Sequence, residues 1–326
     1  MSELHFLNVR VGDTILIRHS SDRLSLIDIC NGNYVPPTEE ARAILEALAT
    51  ARGNFGMCRR PTNPINYIEE NFAGKTLFRF ILTHPHMDHL DGFDALMNRL
   101  GIANFWDSGV RTSKPSFEEG RYLEKDWKRY EKVRDGLEPG VTVVTPRSGS
   151  RFKYANRNED GSDGGDGLYI LAPDQTLVDE ANEAEDANDG SYVLLYHSIG
   201  GRILIPGDAH DRTWEYVLEH YEQEIRNCSV LIAPHHGRKS GRSYDFLDVV
   251  SPKLTLFGCA PSDDLAYDAW NRRKLQFITN NQAGNVILEA SRGEIDVYVE
   301  NERFASAAGG DPSRKNRQGY SYFVTI

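Results

Sequence analysis

Residues 76–91 read TLFRFILTHPHMDHLD, a largely apolar run that passes directly into a cluster of imidazoles and carboxylates. The first eight residues have the composition of a strand buried between two layers. His84 and His86 stand at i and i+2 beyond it, with Asp88 and His89 two and three residues further on. Leu90, Phe93, Leu96, Met97 and Leu100 then recur at helical spacing as far as Gly101, which puts His89 at a helix start. Gly92 would let that start pack closely against a neighbouring loop. Few structural roles need mixed nitrogen and oxygen donors from one turn. Imidazole suits zinc, iron or nickel, and carboxylate also admits manganese and magnesium, so one compact motif can begin two adjacent metal sites. Two ions about 3.5–4 Å apart can flank a scissile carbonyl or phosphoryl group and make water a nucleophile near neutral pH.

Such a site needs further ligands, and they follow later strands in the same order of strand, turn and donor: IPGD at 205–208 and APHHG at 233–237. A lone Gly-Asp is a common turn and a lone His-His-Gly could merely cap a strand; with the first motif they form a set.

With these motifs the chain resembles the metallo-β-lactamase superfamily, over most of residues 4–300. Within it the chain looks most like the ComEC-type metallohydrolase domain and the phosphorylcholine-esterase-like enzymes. The opening FLNVRVGDTILI (6–17) with LID (26–28), the later Gly207-Asp208 and PHHG (234–237), and ITNNQAGNVI (278–287) carry that likeness. The resemblance implies an α/β fold, an αββα sandwich formed as one large domain, with its ligands on loops at one sheet edge. It implies that His84 and His86 hold one metal, that Asp88, His89 and one of His235 and His236 hold the other, and that Asp208 bridges. We take His236 as the ligand and His235 as the residue facing substrate, steadying charge or protonating a leaving group; the two could exchange roles. Two divalent ions are expected, zinc first and manganese second. The superfamily's commoner pattern has another histidine before the bridging aspartate, where this chain has Asn188-Asp-Gly-Ser191; His197 and His210 read as packing or solvent-facing residues.

Arg238, Lys239 and Arg242 follow the histidine pair, and arginine holds phosphate oxygens through a bidentate fork. They point to a phosphodiester substrate, a nucleic acid or a nucleotide, although an ordinary solvated turn would look the same. Two alternatives stand beside this: a hydrolase of carbonyl substrates such as lactones, thioesters or β-lactams, and a metal-bearing binding or regulatory subunit that docks a protein partner through an acidic loop or a C-terminal tail.

The rest of the chain reads as an antiparallel meander (strands at 6–9, 14–18 and 24–29), helices at 38–51 and 65–72, a surface helix at 117–137, a hairpin through Gly200-Gly201, a helix at 212–225, strands near 229–233, 254–257, 276–279, 286–289 and 295–299, and a helix around 264–274. Residues 158–190 read as a flexible acidic loop with no regular structure outside 168–172. A domain of 1–302 and a tail of 303–326 follow. At 40% hydrophobic and 26% charged residues the composition is that of a globular protein. The net charge of -11 is local: residues 159–189 hold all of the imbalance and no Lys or Arg, so its sign says little about the site. The start has no secretory signal and no run is long enough to span a bilayer, which leads to an expectation of a cytoplasmic protein without a membrane partner. The four cysteines show no C-x-x-C, so neither a disulfide framework nor a zinc knuckle is expected, and Cys30 and Cys228 read as buried thiols.

Overall fold

The computed structural model describes residues 1–38, 55–240, 242–260 and 262–326. The expected helix at 38–51 lies outside these, apart from Thr38. The first half of the chain lays down β1 (Ser2–Phe6), β2 (Ile15–Arg18), β3 (Leu24–Ile27), α1 (Pro64–Asn71), β4 (Leu77–Leu82), α2 (Phe93–Arg99), β5 (Ile102–Asp107), α3 (Glu124–Arg134) and β6 (Thr142–Val144). A second group follows: β7 (Leu168–Ala172), α4 (Gln175–Ala184), β8 (Val193–Ser198), β9 (Gly201–Ile205), α5 (Asp211–Ile225), β10 (Val230–Ile232), α6 (Phe246–Val250), β11 (Leu254–Phe257), α7 (Tyr267–Arg273), β12 (Phe277–Thr279) and α8 (Asn280–Ala283). The chain then returns to the first sheet with β13 (Val286–Ser291), β14 (Glu294–Val299), α9 (Glu302–Ala307), β15 (Asp311–Lys315) and β16 (Ser321–Thr325).

Two mixed sheets result, one of ten strands in the order β15-β16-β14-β13-β1-β2-β3-β4-β5-β6 and one of six in the order β12-β11-β10-β9-β8-β7. Alternation along each strand sends one set of side chains between the sheets, where Leu4, Phe6, Ile17 and Ile81 meet Leu194, Ile203, Ile205 and Val230. The other set meets helices. Ile68 of α1, Phe93 of α2 and Trp127 of α3 cover the larger sheet, while Trp214 of α5, Phe246 of α6 and Trp270 of α7 cover the smaller one. This is the αββα sandwich expected from the sequence. Among the described residues no helix is long and apolar enough to cross a membrane.

Several expectations shift. The first strand is Ser2–Phe6, not 6–9, because Glu3 and His5 are buried in a central strand between β13 and β2 and break the apolar signal; His5 hydrogen-bonds Tyr67 of α1 at 2.8 Å. The helix expected over 117–137 is shorter at both ends and spans Glu124–Arg134. The segment 158–190 is not structureless: α4 starts on Asp174, which accepts from the Leu177 amide, and buries Leu177, Val178 and Ala181. Earlier in that segment Asp166 is buried and paired with Arg79 (2.6 Å) and Arg23 (2.9 Å). The segment after Glu302 supplies α9, β15 and β16, and β16 pairs antiparallel with β14. A disulfide joins Cys58 and Cys259, 201 residues apart, against the expectation of none; only folding brings them together, and such bonds belong mainly to oxidising compartments. Cys30 and Cys228 are buried free thiols as expected.

Candidate metal centre

The three donor motifs converge where the two sheets share an edge. β4 delivers His84 from the larger sheet, β9 delivers Asp208 and β10 delivers His235 and His236 from the smaller one, each just past a C-terminal strand end. After His86 the chain makes a single 3-10 turn, Met87–His89, which aims Asp88 and His89 inward; α2 itself begins only at Phe93. Gly92 between them adopts φ 102°, and a side chain there would run into Gly32, so the close approach expected of it is realised. Gly12 is constrained in the same way, since a side chain there would collide with the Asp88 carbonyl.

His84, His89 and Asp208 bring donor atoms within 4.8 Å of one another, and so do Asp88, His89 and His236. The two triads share His89. Asp208 Oδ2 is central, 3.4 Å from both His89 Nε2 and His236 Nε2 and 3.8 Å from His84 Nε2 and His235 Nε2. His86 Nδ1 lies 3.0 Å from His84 Nε2, beside the first triad. Buried atoms test whether ions fit here. His89 Nε2, His236 Nε2 and Asp208 Oδ1 are inaccessible to solvent and have no hydrogen-bond partner, a costly arrangement unless something else engages them. Orphaned imidazole and carboxylate donors turned toward a common point fit divalent ions, and two clustered donor sets support a dinuclear metal site.

Two carboxylates outside the expected donor set hold the ring orientations. Asp28 Oδ2 is 2.7 Å from His89 Nδ1, and the Asp28 carboxylate also accepts from Thr83, its amide at 2.8 Å and its hydroxyl at 2.7 Å. Asp13 Oδ2 stands 3.2 Å from His236 Nδ1, at ion-pair distance and outside hydrogen-bond geometry. Each leaves Nε2 as the nitrogen facing the centre, the usual orientation of a ligand histidine backed by a carboxylate. Both aspartates lie in the opening segment whose motif carries the family resemblance, but no local signal ties either to a histidine 61 or more residues away.

Burial opposes charge on His89, but Asp208, Asp28 and Asp88 outweigh it and raise its pKa well above the usual value. His236 is likewise raised, burial being overcome by Asp208 and Asp13. Burial pushes His84 well down and His235 down to about 4, so both are neutral. Asp208 is held well below the carboxylate range: burial resists its charge, and His236 and His89 more than compensate.

His235 and His236 occupy the left-handed region, with φ 54° and 59°. For a non-glycine residue that is strained by about 1–3 kcal/mol. The turn sends the two rings apart: His236 is buried among the donors, while His235 is a quarter exposed at the rim. The cations after the pair are placed less simply. Arg242 is buried, donating to the Ala209 carbonyl at 2.6 Å and lying 3.3 Å from His235 Nδ1. Lys239 donates to the Asp263 carbonyl at the surface. Arg238 Nε is buried and lacks a hydrogen-bond partner. Where another ligand histidine could have stood, Asn188 Nδ2 lies 3.3 Å from His210 Nε2, and His210 Nδ1 is 3.1 Å from Asp186. His210 thus joins Asp186 and Asp189 in a third donor cluster at the rim, where the sequence suggested only a packing or solvent-facing role.

Fold and site together define an αββα sandwich with a candidate dinuclear centre at the common edge of its sheets. No protein-family model and no curated protein matches the chain. Among solved structures it is similar to a metallo-hydrolase from the archaeon Ignicoccus hospitalis, at 11% identity over 89% of this chain and 100% of that one, with a TM-score of 0.47. It is similar to a metal-dependent hydrolase of the β-lactamase superfamily, at 14% identity, 89% and 100% coverage and a TM-score of 0.47. A diphosphatase of the PhnP family is similar at 13% identity, 89% and 98% coverage and a TM-score of 0.41.

Proposed function

We propose that this protein is a metal-dependent hydrolase of the metallo-β-lactamase type, ComEC-like in its opening motif, that cleaves a phosphodiester. The observation that carries the reading is the pair of donor triads that meet at His89 beside Asp208, with three buried donor atoms left without partners. Two divalent ions held there supply the Lewis acidity that makes water a nucleophile near neutral pH. In this reading His84, His86 and Asp208 hold one ion and Asp88, His89, His236 and Asp208 the other; zinc suits the imidazole-rich set and manganese is the second candidate. Asp88, a quarter exposed beside His236, is also placed to receive a proton from the attacking water. His235 stands at the rim near Asp208, held by Arg242 at Nδ1, where its neutral ring can steady the charge on a leaving group by donating from Nε2.

Arg238, a partly exposed cation in the turn that follows the histidine pair, favours a phosphoryl oxygen as the group that binds. Arg242 favours the second reading, a carbonyl substrate, in one respect: its guanidinium already serves the Ala209 carbonyl and His235. The test is metal analysis of the purified protein with a panel of bis-p-nitrophenyl phosphate, cyclic nucleotides, DNA, RNA, an acyl-lactone and nitrocefin, in zinc and in manganese. We expect phosphodiester turnover that falls at least about 100-fold in Asp208→Ala and His86→Ala. An Asp208→Ala protein as active as the parent overturns the metal reading, and turnover of lactone or nitrocefin without phosphodiester cleavage moves the substrate to the carbonyl class.

A further inference from the structure

A cavity of about 290 Å³ is lined by Arg10, Val11, Cys30, Asn31, Asp91, Arg121 and Tyr122, and Asp88 of the centre lies near enough to act on Cys30 and Tyr122 in its wall. Its walls are extensions of the segments that build the centre. Arg10 and Val11 lead into Gly12, which packs on the Asp88 backbone, and into Asp13, which holds His236. Cys30 and Asn31 follow Asp28, which holds His89, and Asp91 lies three residues after Asp88. Arg10 and Arg121 reach the cavity from different elements, both exposed, and among the described residues neither makes a hydrogen bond or an ion pair; their ring contacts are with Tyr34 and Tyr122. The one carboxylate among the lining residues, Asp91, is already engaged by the Asn31 amide at 2.9 Å and the Asn33 side chain at 3.0 Å. Both guanidiniums act on Asp91 without touching it, and two positive charges against one carboxylate leave an excess of positive charge among the lining residues of a chain that is acidic as a whole.

We propose that Arg10 and Arg121 form an anion subsite that binds a second phosphate of the substrate, away from the bond that is cleaved. The assignment rests on the phosphodiesterase reading for its role in turnover, but not for anion binding as such. It narrows the substrate class to phosphodiesters with a further phosphate nearby, as in an oligonucleotide or a nucleoside bisphosphate ester. Guanidinium pairs suit this because each offers a planar fork to phosphate oxygens without losing charge at any accessible pH.

Two measurements separate the subsite from the activity. Pyrophosphate is titrated calorimetrically into chelator-treated protein, which excludes binding through metal; we expect one site, weakened about tenfold or more in Arg10→Ala and in Arg121→Ala. No binding by the parent protein, or binding by the variants as tight as the parent's, overturns the subsite. The metal-loaded protein is then given the p-nitrophenyl ester of thymidine 5′-phosphate with and without a 3′-phosphate. The parent should prefer the 3′-phosphorylated ester in kcat/KM, and the preference should fall about tenfold in each variant. If neither ester is cleaved while pyrophosphate binding depends on the arginines, the phosphodiester reading fails and the anion site stands. If both are cleaved with a preference that ignores the arginines, the subsite fails and the activity stands.

Discussion

Asp28 and Asp13 decide which nitrogen His89 and His236 turn toward the centre, so their removal should weaken metal binding without removing a donor. Asp28→Asn and Asp13→Asn are expected to bind zinc about 10–100-fold less tightly, by competition with a chromophoric chelator, with unchanged circular dichroism. His19 makes a different residue-level prediction. It is buried, with Nδ1 2.9 Å from the Asp166 carbonyl and Nε2 2.7 Å from the Ser25 hydroxyl, and burial with nearby Arg79 lowers its pKa to about 3. The unfolded chain takes up this proton near pH 6.5 and the fold does not until about 3, so stability is full above 6.5 and declines as the pH falls between these values. Between pH 7.5 and 5 the loss from this residue is about 2 kcal/mol. Denaturant titration of chelator-treated protein at both pH values should show it as the difference between parent and His19→Gln, whose pH-dependent loss should be smaller by about that amount.

At the scale of elements, the acidic segment and the final strands are both bound into the sandwich. Asp166 fastens the former, since its carboxylate meets the buried Arg79. Asp166→Asn leaves that guanidinium buried without its counter-charge and should cost about 3–5 kcal/mol in denaturant titration. β16 brings Phe323, Val324 and Ile326 against the inner core and covers the edge of β14. A chain ending at residue 310 should lose roughly 3–5 kcal/mol from these partly buried side chains and aggregate through the uncovered edge, visible in light scattering. A tail that merely docked on a partner would leave both unchanged.

For the whole molecule, the centre is a joint between sheets. His84, Asp88 and His89 descend from the larger sheet and Asp208 and His236 from the smaller, with the buried charges otherwise facing one another. Ions that bind the folded form alone stabilise it by mass action. Removing them with a chelator should therefore lower Tm, and restoring zinc at about 100 times its Kd should return about 2.7 kcal/mol. A Tm that responds neither to the chelator nor to added zinc would mean that the centre holds no ion.

The strand at 76–83, the His84–His89 string, the hairpin at Gly200-Gly201 and the donors after 205 and 232 were legible because each is a local signal. Side-chain periodicity reports which face is buried, and donor spacing within one turn reports chemistry, whatever the rest of the chain does. β1 was displaced because buried Glu3 and His5 look like exposed residues until Arg18 and Tyr67 are in place to satisfy them. α4 was missed because its short apolar stripe, Leu177, Val178 and Ala181, lies among acids that suggest solvent. The layered α/β class and the chemical identity of the donors were thus already written in the order of residues. The packed fold alone settles that Asp13 and Asp28 orient two of those donors, that Cys58 meets Cys259, that Arg242 turns inward and that Arg10 and Arg121 share a cavity. These are contacts between residues far apart in the chain, and such contacts exist only once the sheets have packed.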